Sequence, residues 1–247
     1  MTRAGAGDAD DGTTAGCAPA PGGAPGERRL VLVRHGESEA NAGRPCPDPC
    51  SSPLTARGLR QAERVAHGWR AAPGLIVTSS FVRARQTAGA TARRFPGVPC
   101  RVWPVGEFRY LSGPPARLAS PAGRRPLADA YWRRADPRHR DGPGAESFQE
   151  LLERAARFLR RAAGLPYGAG PDAAVTVVFT HELFMRAVLW RTLLPDRPVD
   201  PDAMSAFHGW RRSLPIGNTG VVQLAVDEEF GVRLKSVGEG GAGVEAP

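Results

Sequence analysis

The sequence predicts an α/β fold: a three-layer sandwich whose mostly parallel, doubly wound sheet carries helices on both faces, with an irregular insertion as a lid. Three observations predict it. Short apolar runs at Leu30–Val33, Leu75–Val77 and Ala173–Phe179 have the length and continuity of strands buried on both faces. Each is followed by a stretch of helical period, the alternation expected of parallel strands joined by crossover helices. A chain of 247 residues with 41% hydrophobic content can fill the core of one such domain with an insertion.

Met1 to about Glu27 is rich in Gly, Ala, Asp, Pro and Thr without apolar period and reads as a disordered leader. Residues 28–237 read as the folded domain and 238–247 as a flexible tail. The first strand, Leu30-Val31-Leu32-Val33, runs into Arg34-His35-Gly36-Glu37-Ser38. A proline-crowded loop follows to Ser52. Thr55 then caps a helix from Ala56 to about Arg70, with Leu59, Ala62, Val65, Ala66 and Trp69 on its buried face. Residues 74–80 read as a second strand entering a helix from Phe81 to Phe95, whose first turn holds Arg83 and Arg85. An arginine there, at the positive end of the helix dipole, is electrostatically awkward unless an anion is near.

Pro99–Val105 offers a third strand that ends at Gly106-Glu107-Phe108. From Arg109 to Gly144 prolines, glycines and arginines break the pattern, including Tyr131-Trp132-Arg133-Arg134. The stretch is too long for an ordinary connection and reads as the insertion, 109–144. Ser147 then caps a helix from Phe148 to about Ala163, with Leu151, Leu152, Ala155, Phe158 and Leu159 on one face. The fourth strand ends in Thr180-His181-Glu182, and a helix spans Leu183–Leu194. After a connector, Gly220–Val226 and Phe230–Val237 read as an antiparallel pair.

The formal net charge is +8, carried almost wholly by arginine, since Lys235 is the only lysine. A basic surface favours anionic ligands generally, but no basic patch alternates with aromatics as single-strand binders require, so nucleic acid is not an expected partner. No run is long enough to cross a bilayer and no signal-peptide core is present, so the expectation is a cytoplasmic protein without membrane partners. Cys46 and Cys50 stand in Cys-Pro-Asp-Pro-Cys, with Cys17 and Cys100 elsewhere; the reading is free thiols, with a local Cys46–Cys50 disulfide as the alternative. No second pair follows at metal-site spacing, and no histidine stands three residues beyond Glu182, so no metal is expected.

The polar residues collect at one end of different strands: Arg34 and His35 after the first, Arg83 after the second, His181 after the fourth. Two imidazoles and two guanidiniums converging there would form a pocket for a dianion in which one imidazole attacks phosphorus. His67, His139 and His208 have ordinary surface or packing explanations, and the mechanism needs no third histidine.

On the residues Leu30–Asn41, Pro53-Leu54-Thr55-Ala56-Arg57-Gly58, Thr78–Ala88, Gly144-Ala145-Glu146-Ser147-Phe148 and Phe179-Thr180-His181, the chain resembles the histidine phosphatase superfamily, which includes the cofactor-dependent phosphoglycerate mutases and many small-molecule phosphatases. The resemblance covers about Arg29 to Val226. It implies that His35 is the nucleophile that becomes phosphohistidine, that Arg34, Asn41, Arg83 and His181 bind the phosphoryl group, and that Glu107 is the proton donor, with Glu146 as fallback. The chain departs from the family where Glu182-Leu183 replace the frequent Gly pair after the second histidine, and around Glu107 the common Gly-Trp-Glu-Gly continuation is missing. The expected function is a metal-independent phosphatase acting on a small phosphorylated metabolite, without cofactor. A phosphoglycerate mutase and a non-catalytic phosphate or phosphoprotein binder are the alternatives, and oligomeric state is left open.

Overall fold

Successive residues of a strand face opposite sides of the sheet, so Leu30 and Leu32 enter one core while Val31 and Val33 enter the other. The computed structural model describes residues 28–46, 48, 50–112, 120–165, 175–227 and 231–238, so the expected leader and most of the tail lie outside the described residues. The strands are β1 (Arg28–Arg34), β2 (Leu75–Thr78), β3 (Cys100–Val102), β4 (Val175–Thr180), β5 (Val221–Asp227) and β6 (Gly231–Gly238). The helices are α1 (Ala56–Gly68), α2 (Val82–Arg94), α3 (Pro121–Arg134), α4 (Phe148–Ala163), α5 (Glu182–Leu193) and α6 (Pro201–Ser213).

The strands form one mixed sheet in the order β3-β2-β4-β1-β5-β6. β1, β2, β3 and β4 pair in parallel and β6 is antiparallel to β5, as the sequence predicted; β5 joins the sheet antiparallel to β1. The valine-rich face packs on Val65 of α1, Trp69 just beyond its end and Ala88 of α2. The opposite face packs on Leu151, Leu152 and Phe158 of α4, Phe184 to Trp190 of α5, and Met204 and Phe207 of α6. The chain leaves β1 toward β2 on one side and leaves β4 toward β5 on the other. A crevice therefore opens beyond the carboxyl ends of β1 and β4, where α/β sheets take their ligands.

The helix starts follow the sequence signals. Thr55 accepts from the Gly58 N–H, and Ser147 and Glu150 form a reciprocal capping box. Three features differ from expectation. Leu59 is 48% exposed because it faces a groove that α1 and α2 leave open to solvent. The insertion, expected to be irregular, contains α3, capped by Ser120 and running through Pro126, which buries Tyr131 and Trp132 in its last turn. The connector after α5 contains α6, capped by Asp200. The thiols of Cys46, Cys50 and Cys100 are free; Cys17 lies outside the described residues. Among the described residues, no helix is long and apolar enough to cross a membrane.

Candidate active site

The sheet register brings the two histidines together. Arg34 of β1 pairs with Thr180 of β4, so the next residues, His35 and His181, leave adjacent strands side by side, and the His35 N–H donates to the Thr180 carbonyl at 2.9 Å. Their ring centroids are 5.0 Å apart. Glycine is required just beyond. A Cβ on Gly58 would lie 2.0 Å from the Glu37 carbonyl oxygen, and one on Gly36 would lie 2.6 Å from the Gly58 oxygen. The strand's exit loop thus packs backbone to backbone on the start of α1.

The hydrogen bonds assign the His35 tautomer. His35 Nδ1 lies 2.7 Å from the Gly36 carbonyl, which can only accept, so the ring hydrogen is on Nδ1. Its Nε2 lone pair accepts from Arg83 Nε at 2.9 Å. Burial first, then the charges of Arg83 and Arg34, hold the His35 ring well below the ordinary imidazole value, so it is neutral at pH 7. Ser79 Oγ accepts from the Phe81 N–H at 3.3 Å and lies at hydrogen-bonding distance, 2.7 Å, from His181 Nε2. His181 Nδ1 has no partner among the described residues. Burial, then Arg83 and His35, hold this ring low as well. The Thr78-Ser79-Ser80 segment marked the strand end in the sequence, but nothing there singled out Ser79 as the partner of His181.

Beyond the histidines lies a cavity of about 350 Å³ lined by Arg34, His35, Asn41, Arg83 and Glu107, with walls of Phe81, Phe108, Tyr110, Leu111 and Leu183. Every expected site residue except His181 lines it. His181 is fully buried just behind, covered by His35 and by Phe81 at 4.7 Å. Asn41 Oδ1 accepts from Ser38 and Asn218, which leaves its amide N–H groups as donors. From the insertion, Arg109, Tyr110 and Arg124 reach the cavity, while Arg85 is exposed outside it. α2 and α5, whose N-termini open here, have no cap from their own N-cap side chains, in contrast to α1, α3, α4 and α6. Their positive ends add to the attraction for an anion.

Glu107 accepts from the Phe108 and Leu183 N–H groups through Oε1, at 2.9 and 3.1 Å, which leaves Oε2 to carry a proton. Burial, the largest effect, pushes its carboxyl above the ordinary carboxylate range against the pull of those bonds and of Arg83. Glu146 is placed differently. Both its oxygens are held by Arg154 at 2.7 Å, and it does not line the cavity. Arg154 also donates to the Gly106 carbonyl at 2.8 Å, so this pair braces the loop that carries Glu107, a link invisible in the sequence. Glu182 turns its oxygens to Arg34 at 3.2 Å and Arg186 at 2.6 Å, which neutralises the carboxylate that stands at the family's Gly position. No group of three or more His, Cys, Asp or Glu side chains among the described residues is arranged to hold a metal ion.

Two imidazoles and two guanidiniums stand together at the carboxyl edge of this α/β sheet, the arrangement that the sequence resemblance implied. The chain belongs to the histidine phosphatase superfamily (branch 1), whose family model matches residues 30–232. It is 30% identical over 146 residues to the probable phosphoglycerate mutase GpmB of Salmonella paratyphi C, spanning 58% of this chain and 66% of that protein. Among solved structures it is similar to a mycobacterial glucosyl-3-phosphoglycerate phosphatase complexed with VO3, with TM-score 0.64 and 26% identity over 86% of this chain and 99% of that one. A putative alpha-ribazole-5'-P phosphatase from Escherichia coli shares the fold at TM-score 0.67 and 21% identity, over 88% of this chain and 99% of that one.

Proposed function

We propose that the protein is a metal-independent phosphatase that hydrolyses a small phosphomonoester through a phosphohistidine on His35. The observation that carries this is the orientation of His35: its hydrogen is tied to the Gly36 carbonyl, and its Nε2 lone pair faces the Arg83 guanidinium at the wall of the cavity. A substrate phosphoryl group entering between them takes over the Arg83 donors. Nε2 then attacks phosphorus as the bond to the leaving oxygen breaks, and the Glu107 proton passes to that oxygen. Arg34, Arg83 and Asn41 line the cavity and face the charge on the phosphoryl oxygens, the role that cations play in a loose phosphoryl-transfer transition state, with His181 packed directly behind His35. Water, deprotonated by Glu107, then cleaves the N–P bond and releases phosphate.

The similarity to a solved glucosyl-3-phosphoglycerate phosphatase favours hydrolysis, and the name of the curated relative favours a phosphoglycerate mutase as second reading. A panel of phosphorylated sugars, acids and nucleotides, assayed for phosphate release with the parent and His35→Ala proteins, tests the proposal. The parent releases phosphate and forms an acid-labile phosphoprotein, and His35→Ala does neither while keeping its circular dichroism. Isomerisation of 3-phosphoglycerate with its bisphosphate cofactor, without net phosphate release, would establish the mutase instead.

A further inference from the structure

The charge around the cavity is not all of one sign. Arg34 and Arg83 line it, and the N-termini of α2 and α5 open there. Of the two carboxylates that touch this wall, Glu107 is held toward its neutral form by burial, so the negative charge is that of Glu182. Glu182 is the first residue of α5, where a carboxylate has an ordinary role against the helix dipole. Its contacts go beyond that role. Oε1 accepts from Arg186 Nη2 at 2.6 Å, and Oε2 lies 3.2 Å from Arg34 Nη1. The Arg186 side chain is only 3% exposed, so one oxygen is anchored in the interior while the other meets a guanidinium of the cavity wall. The same Arg34 Nη1 donates to the Ile216 carbonyl at 2.5 Å, whereas the buried Arg34 Nε has no acceptor among the described residues. Two oxygens of the protein thus draw on one corner of this guanidinium, and a dianion that binds Arg34 does so in competition with Glu182.

We propose that Glu182 is a positioning residue that acts through Arg34: it holds the guanidinium at the cavity wall and weakens the pocket's grip on a phosphate dianion, so that the product leaves after hydrolysis. This rests on the phosphoryl-binding reading of the cavity and adds to it what limits the retention of phosphate. Fixed guanidiniums attract substrate and product alike, and binding common to both does not speed the chemical step. A fixed carboxylate beside Arg34 lowers the attraction for every dianion, while the Ile216 carbonyl keeps the guanidinium in place. The field of Glu182 also reaches Glu107. That carboxyl faces Arg83 of α2, Arg34 of β1, Tyr110 of its own loop and Glu182 of α5, whose neighbour Leu183 donates to its Oε1. The two guanidiniums favour its ionised form, and the charge of Glu182 favours the protonated one.

Calorimetric titration with inorganic phosphate measures that grip without turnover. Glu182→Gln keeps the shape and removes the charge, so it should bind phosphate at least roughly fivefold more tightly than the parent, and Glu182→Asp should stay within about twofold of the parent. With 4-nitrophenyl phosphate as substrate, Glu182→Gln should lower KM and move the alkaline limb of kcat/KM to lower pH. Loss of a merely structural contact would weaken binding instead. Phosphate bound by the parent, and by Glu182→Gln equally or more weakly, would overturn the role of Glu182 and leave the phosphoryl pocket standing; phosphate bound by neither would remove both. A Glu182→Asp protein that binds as tightly as Glu182→Gln would count against the charge as the cause. Glu182→Gln leaves Arg186 buried without a counter-charge. Should it fail to fold, the double variant Glu182→Gln with Arg186→Met removes the buried cation together with its partner, and the same tightening is required of it.

Discussion

At the scale of single residues, the roles proposed for His35 and Glu107 have opposite requirements that one environment meets. The nucleophile must be unprotonated and the donor protonated, and burial favours the neutral form of both. The acid limb of kcat/KM reports the histidines and therefore falls below the ordinary imidazole value of 6.5. The alkaline limb reports Glu107 and lies above its ordinary value of 4.5. Glu107→Gln should abolish the alkaline limb and lower kcat at least ~100-fold for substrates with poor leaving groups. Glu146→Gln should retain that limb. A pH–rate profile of both variants decides it. Ser79→Ala removes the hydroxyl that holds the His181 ring through Nε2, so kcat should fall roughly 10- to 100-fold, the scale of losses when an orienting partner is removed. Single-turnover kinetics with unchanged thermal stability would locate that loss in chemistry. Residue identities such as His35, Arg83 and His181 were legible because their chemistry is intrinsic. The Ser79–His181 and Arg154–Gly106 bonds were not, since they join positions 102 and 48 residues apart.

Among the elements, α4 shows how a local signal serves the site at a distance. Its capping box, Ser147 with Glu150, fixes the helix start, and one and a half turns on Arg154 braces the Glu107 loop. Ser147→Ala should cost about 1 kcal/mol, lowering Tm by roughly 2–4 °C in a thermal melt. α4 was legible because its cap and apolar face agree. α6 carries local signals of its own, the Asp200-Pro201 start and the spacing of Ala203, Met204 and Phe207, but only its packing on Trp132 and Trp190 sets it apart from the connector around it. α3 gives weaker signals: Pro126 interrupts the pattern, and its most deeply buried side chains, Tyr131 and Trp132, come only in the last turn.

In the whole molecule, an aromatic cluster ties α3 and α6 to the rest of the fold. Phe207 meets Trp132, Phe148 and Trp190 at ring distances of 6.1, 5.1 and 5.5 Å. Phe207→Ala empties a site enclosed by three other helices and should cost about 3–5 kcal/mol, seen as a lower midpoint in urea.

The sequence by itself determined the α/β alternation, the helix caps and the types of side chain that arrive at the sheet edge, because apolar period, capping and ionisation are local properties of short segments. Only the tertiary structure decided that Arg34 pairs with Thr180, which tautomer His35 adopts, that Glu107 rather than Glu146 faces the cavity, and that Glu182 is held by Arg34 and Arg186. Those outcomes depend on strand register and on burial, which arise when distant segments pack and which no short window of sequence contains.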